Sequence, residues 1–321
     1  MTDLTSLNVG GVPVLGGTLP LFSGNYYFVD AVSGADGNTG AADFPMRTLS
    51  AAYGRCVAGN NDVVVIVGDG ATTGTQRVDA AFTWAKAATH LIGMCSPTLY
   101  SQRARIAPTS STTAFANFFT VSASGCYFAN VQWFHGFATG TTAAICMTIT
   151  GGRNVFVNCQ LAGMGDAASA QDTGSRSLKI TTTGENVFQS CVIGIDTVTR
   201  TVANASVELA TAVPRNSFLD CVFPFMTSSA AALGYLGSVA GCVDRTNEFV
   251  RCRFINAAQS GSTTMSGLGT LPASAGGLLL FKDCTLVGIT EFGTDATTRG
   301  QCYVDGGAPT AGSSGIAVNP T

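Results

Sequence analysis

A chain of 321 residues is long enough for one large domain or two small ones, and it can bury a core without the help of a metal or a disulfide. Charged residues make up only 11% of it against 46% hydrophobic residues and 39 glycines, so Thr, Ser, Asn and Ala must build the surface. Sixteen basic against 19 acidic residues leave a net charge of −3, and the lysines Lys86, Lys179 and Lys282 are scattered, which argues against nucleic acid as a partner. No stretch approaches the roughly 20 apolar residues of a membrane span, and Met1-Thr2-Asp3 lacks the basic and apolar regions of a signal peptide. The expectation is therefore a soluble protein with no membrane partner.

Residues 1–24 are rich in Gly, Leu, Val and Pro with almost no charge, as in Gly10-Gly11-Val12-Pro13, and predict an extended arm. A strand at Tyr26-Tyr27-Phe28-Val29, a Gly/Asp/Asn loop over residues 30–40 and a short helix after Pro45 (Met46 to Tyr53) follow. The loop offers oxygen ligands around Asp36-Gly37-Asn38 that would suit Ca²⁺, but it lacks the closing Glu of an EF-hand, and tight turns are the better reading. After the apolar strand Val63 to Val67, Gly68-Asp69-Gly70 opens like a dinucleotide fingerprint. The third glycine position holds Thr73 and no helical pattern follows, so this is a turn.

From there the chain repeats itself. Phe156-Val-Asn-Cys159, Phe188-Gln-Ser-Cys191, Phe218-Leu-Asp-Cys221, Phe249-Val-Arg-Cys252 and Phe281-Lys-Asp-Cys284 recur at spacings of 32, 30, 31 and 32 residues. Phe128-Ala-Asn-Val131-Gln-Trp133 is an earlier copy with Val in the cysteine place. Short apolar runs punctuated by Gly, Asn and Thr, without a helical period, predict a coil in which each turn stacks on the last at roughly 4.8 Å. The fold class expected is all-β: a single-stranded right-handed parallel β-helix with a short N-terminal capping helix and an extended N-terminal arm. Its parts are the arm (1–24), the first strand, loop and capping helix (25–61), the β-helix (62–304) and a Gly/Ser/Ala/Pro-rich flexible tail (305–321). The eleven cysteines are odd in number and none lie closer than Cys242 and Cys252, which excludes C-x-x-C metal and redox motifs. Stacked in ladders, the repeat cysteines would be packing residues.

The stretch Tyr27-Phe28-Val29-Asp30, Ser33 to Gly40, Pro45-Met46-Arg47-Thr48-Leu49 and Asp62 to Gly68, together with the F-x-x-C copies, resembles right-handed parallel β-helix proteins of the pectate-lyase-like superfamily. Within it, the compact, Gly-rich, lysine-poor form with an arm most resembles bacteriophage virion proteins. What the resemblance implies is a non-enzymatic capsid decoration or cement protein on the outer head surface, assembled in the host cytoplasm. Its partners would be the major capsid protein and further copies of itself in a homotrimer. The alternative is a tailspike or receptor-binding protein that degrades polysaccharide.

A sugar-cleaving β-helix needs carboxylates converging on one groove. Asp220 and Asp283 share the slot before the ladder cysteine, two turns apart and so roughly 10 Å from one another, near the upper end for an inverting pair; the other reading is solvated or turn-capping carboxylates. Asp166, Asp172 and Asp196 fall in inter-strand loops, each alone in sequence. His90 and His135 cannot make a metal site unaided, and a G-x-S-x-G elbow is lacking. No catalytic, cofactor or metal residues are assigned. Trp84, Trp133, Phe134, Phe137, Phe223, Phe225 and Tyr235 stand out as either a subunit interface or filling for irregular turns, with Phe223-Pro224-Phe225-Met226 breaking its strand alternation.

Overall fold

The computed structural model describes residues 8–9, 12–13, 22–96, 98–109, 115–136, 143–256 and 263–304. The tail, most of the arm and Phe137 lie outside the described residues. Among those described, the chain winds as a single-stranded parallel β-helix with sheets of ten, eight and seven strands. One circuit runs through Ile145–Ile149 in the seven-stranded sheet, Val155–Val157 in the ten-stranded sheet and Gln160–Ala162 in the eight-stranded sheet, then returns beside its own start at Arg176–Ile180.

The repeated Phe and Cys are what hold successive circuits in register. Phe128, Phe156, Phe188, Phe218, Phe249 and Phe281 occupy one row of the ten-stranded sheet. Their rings stack nearly parallel at 4.7 to 4.9 Å between centroids. That spacing is the strand spacing itself, so ring stacking and backbone pairing favour the same register. Beside this column the cysteine thiols do more than fill space. Cys159, Cys191, Cys221, Cys252 and Cys284 each donate to the carbonyl of the Phe one circuit earlier, at 3.2 to 3.5 Å. Burial pushes the Cys159 and Cys221 thiols up, and every described cysteine is free.

Two corners of the coil follow from local chemistry. The residue before each cysteine position, namely Asn130, Asn158, Ser190, Asp220, Arg251 and Asp283, has φ between 49° and 57°, so a single left-handed residue turns the ten-stranded sheet into the eight-stranded one. At the opposite edge of the ten-stranded sheet, Asn154, Asn186, Asn216 and Asn247 are fully buried. Their side-chain carbonyls accept from the backbone N–H one circuit back, as Asn216 Oδ1 does from Asn186 at 3.1 Å and Asn247 Oδ1 from Asn216 at 2.9 Å. An amide column thus satisfies N–H groups that a tight corner would otherwise orphan.

The third corner varies and carries the loops. Here lies a one-turn helix the repeat pattern did not announce, α2 (Ala167–Ala170), capped by Asp166; a second, α3 (Ala296–Arg299), capped by Asp295, leads into the last strand of the ten-stranded sheet, Cys302–Val304. One turn is too short to print a 3.6-residue period. The capping helix α1 spans Leu49–Arg55 and buries Leu49 and Ala52 against the open end of the core. It starts three residues later than expected because Thr48 is its N-cap, accepting from Ala51, while Met46 bridges to Val29 and is buried.

The interface reading of the aromatics does not hold for most of them. Trp84, Trp133, Phe223, Phe225 and Tyr235 are all within 1% of complete burial. Phe223 and Phe225 break the alternation because all four residues of Val222–Phe225 are buried, Phe225 beneath the Arg200 guanidinium.

Candidate functional site

The outer face of the eight-stranded sheet carries a polar row in a surface otherwise short of charge. Register places Arg105, Gln132 and Gln160 side by side on consecutive strands, while their neighbours Ile106, Trp133 and Leu161 enter the core. Period-two alternation dictates this split. The three side chains form one hydrogen-bonded chain: Arg105 Nε donates to Gln132 Oε1, and Gln132 Nε2 donates to Gln160 Oε1 at 2.6 Å. Ser101 N–H also donates to Gln160 Oε1, at 2.7 Å, and holds the preceding loop against the row.

Around this floor lies a groove of about 340 Å³. Tyr100 and Ser101 wall one side, Ile195, Asp196 and Thr197 the other, and Phe134 closes the floor. The Phe134 ring crosses bare glycine backbone, since a Cβ on Gly136 would meet it at 2.3 Å, and it carries the Arg105 guanidinium 5.5 Å from its centroid. Burial, with Arg103 and Arg77 nearby, holds the Arg105 pKa below its ordinary value. Among the described residues Arg105 forms no ion pair. Tyr100 keeps 38% of its surface exposed; its phenol is pushed up by burial and by the Asp196 charge, with Arg253 opposing.

Of the acidic residues singled out from sequence, only Asp196 reaches this groove. Asp220 sits at a left-handed corner and is engaged bidentately by Arg251 at 2.7 and 2.8 Å, which holds its carboxyl below the usual range. Asp283 occupies the same corner two strands on. Asp166 caps α2, and Asp172 accepts from Gly174 N–H. In the 30–40 loop, Asp30 accepts from Val32, Ser33 and the Ser33 hydroxyl, and Asp36 from Arg47 and Thr48, so these oxygens are spent on turns. Asp69 likewise serves its own turn. His90 is neutral, its Nδ1 accepting from Tyr127 N–H, while His135 is buried against Phe118 and Phe115.

Sequence reasoning missed the floor itself, although a signal existed. Gln132 and Gln160 each follow the ladder position in consecutive copies, Val131-Gln132 and Cys159-Gln160. It also missed a second charged cluster on the seven-stranded sheet, where Glu208 is buried between Arg176 at 3.0 Å and Lys179 at 3.1 Å. Those residues lie a full circuit apart, so only strand register brings them together.

No family model matches the chain, and no curated protein sequence does. Its fold, however, is close to solved ones. A pectin methylesterase variant in complex with a hexasaccharide aligns over 93% of both chains at 15% identity and a TM-score of 0.56. Pectin methylesterase PemA from Erwinia chrysanthemi aligns over the same shares at 16% identity and 0.54. ORF18 of Geobacillus virus E2 aligns over 74% of this chain and 45% of its own, at 13% identity and 0.46. The chain is thus a right-handed parallel β-helix. The non-enzymatic expectation is corrected by the same finding: this coil, over nearly its full length, is one that polysaccharide-modifying enzymes are built on.

Proposed function

We propose that this chain is a bacteriophage virion protein displayed on the outer particle surface, where the groove over its eight-stranded sheet binds a polysaccharide. The observation that carries the binding half is the floor of Arg105, Gln132 and Gln160 between Tyr100 and Phe134. Planar amides and a guanidinium match the hydroxyl pairs of a sugar, and an exposed tyrosine face accepts the apolar side of a pyranose. The virion half rests on the opening segment and on the Gly-rich, lysine-poor composition. In this reading the coil stands on the outer head surface in contact with the major capsid protein and with copies of itself as a homotrimer.

Co-sedimentation with undecorated phage heads tests the placement: regular density on the shell supports it, and protein left wholly in the supernatant rejects it. Titration of host surface polysaccharide into protein labelled at the tyrosine rings tests the groove. A Tyr100 signal that does not move on saturation rejects this site.

A further inference from the structure

The hydrogen-bond polarity of the groove floor says what kind of sugar it takes, an inference that rests on the polysaccharide reading above. Amide side chains are ordinarily ambiguous, because oxygen and nitrogen can exchange places. Here both ends of the row fix them. Arg105 can only donate, so Gln132 must turn Oε1 toward it and Nε2 toward Gln160. Ser101 N–H can also only donate, and it meets the same Gln160 oxygen that receives Gln132. Both amide oxygens of the row are therefore engaged internally, Gln160 Oε1 by two donors and Gln132 Oε1 by one.

The atoms left without any partner are all donors. Gln160 Nε2 has no partner among the described residues, and neither do the two terminal nitrogens of Arg105. This guanidinium is half-buried, has Arg103 and Arg77 as cationic neighbours, and lacks a carboxylate partner among the described residues, whereas the buried Arg176 is paired with Glu208 and the buried Arg200 is hydrogen-bonded to Asn204. A floor of donors around one uncompensated cation is complementary to an anion with two coplanar oxygens. We propose that the groove selects a sugar bearing a carboxylate, with the carboxylate on the Arg105 fork and Gln160 Nε2, and with the ring against Tyr100. The Asp196 oxygens at the rim accept from the hydroxyls of the same residue or its neighbour.

The test uses two acidic probes, a hexasaccharide alternating glucuronate with N-acetylglucosamine and an α2,8-linked sialic acid hexamer, each paired with its carboxyl-reduced counterpart. Binding is read by calorimetry on the full chain at low and high salt. The expected result is at least tenfold tighter binding of one acidic probe than of its reduced partner, weakened by salt. Arg105→Gln removes that preference, and so does Gln160→Glu, which keeps the oxygen that Ser101 and Gln132 use but replaces the free donor with a carboxylate oxygen. Unchanged circular dichroism checks that both variants fold, and Arg105→Lys, retaining charge without the fork, should fall between. Equal binding of acidic and reduced probes overturns the carboxylate assignment and leaves the groove as a neutral-sugar site. Acidic binding that survives both substitutions places the site elsewhere and overturns the proposal. No binding of any of the four overturns it together with the polysaccharide reading.

Discussion

His135 is stacked on Phe118 with 5.2 Å between ring centroids, is 1% exposed, and neither ring nitrogen finds a partner among the described residues. Burial holds its pKa down to about 4 against an ordinary 6.5, with the Asp166 charge opposing. His90, packed face to face on Phe22 at 3.7 Å, is held down to about 4 in the same way, with Asp62 opposing. A histidine depressed in the folded state leaves the unfolded chain as the stronger proton binder between those two values. Its contribution is thus full above pH 6.5 and lost as pH falls toward 4. At pH 5 the loss is on the order of 2 kcal/mol per ring. His135→Phe removes one of the two titrations and two unsatisfied nitrogens, so the urea midpoint should rise at neutral pH and fall less steeply between pH 7 and 5. A variant whose midpoint tracks the parent at both pH values would show that the ring is solvated.

The elements divide by how strictly local chemistry fixes them, and this also decides what the sequence could disclose. The Phe and Cys columns were legible because each circuit must present the same side chain to the same neighbour, which prints a period of about 31 residues. The left-handed corner was not legible as such, since Asn, Ser, Asp and Arg all occupy it, and only a turn-capping reading of Asp220 and Asp283 touched on it. The third corner was not legible: its loops pack individually, and the groove that one of them walls with residues 195–197, opposite the Tyr100–Ser101 segment that leads into Arg105–Pro108, depends on register between strands far apart in sequence. Two substitutions separate these cases. Asn216→Ala would strip the acceptor from both Asn186 N–H and Nδ2 in a fully buried column, at about 1 to 3 kcal/mol per orphaned group, measurable as a lower denaturation midpoint. Ser190→Asn should instead stabilise by about 0.5 to 1 kcal/mol. Asn tolerates the left-handed conformation better than Ser, and its amide would extend the bond that Asn158 Nδ2 makes to Asn130 Oδ1 at 2.9 Å. A destabilised Ser190→Asn would mean that the corner column is not a stabilising device.

At the scale of the whole molecule, every circuit touches chiefly the one before and the one after, so stability is expected to be a sum of circuits and of the contacts between them. The continuous Phe column works against that independence, because each interior ring is stacked on both sides, as Phe188 is at 4.8 Å from Phe156 and from Phe218. Phe188→Ala opens a cavity in mid-column at a cost of about 3 to 5 kcal/mol and uncouples the two halves of the rod. Phe281→Ala damages the last stacked pair, where Phe249 remains supported by Phe218. Amide exchange read strand by strand distinguishes a stack from a single cooperative unit. In a stack, Phe281→Ala lowers protection in Leu278–Lys282 and Thr285–Val287 and spares Val155–Val157, whereas Phe188→Ala lowers it on both sides of the lesion. Equal loss of protection everywhere in both variants would mean that the rod unfolds as one unit. Attachment of such a rod at one end would then stiffen the whole of it, and ligand in the groove, at the level of Gln132 and Gln160, would be felt at the distal strands through the same column.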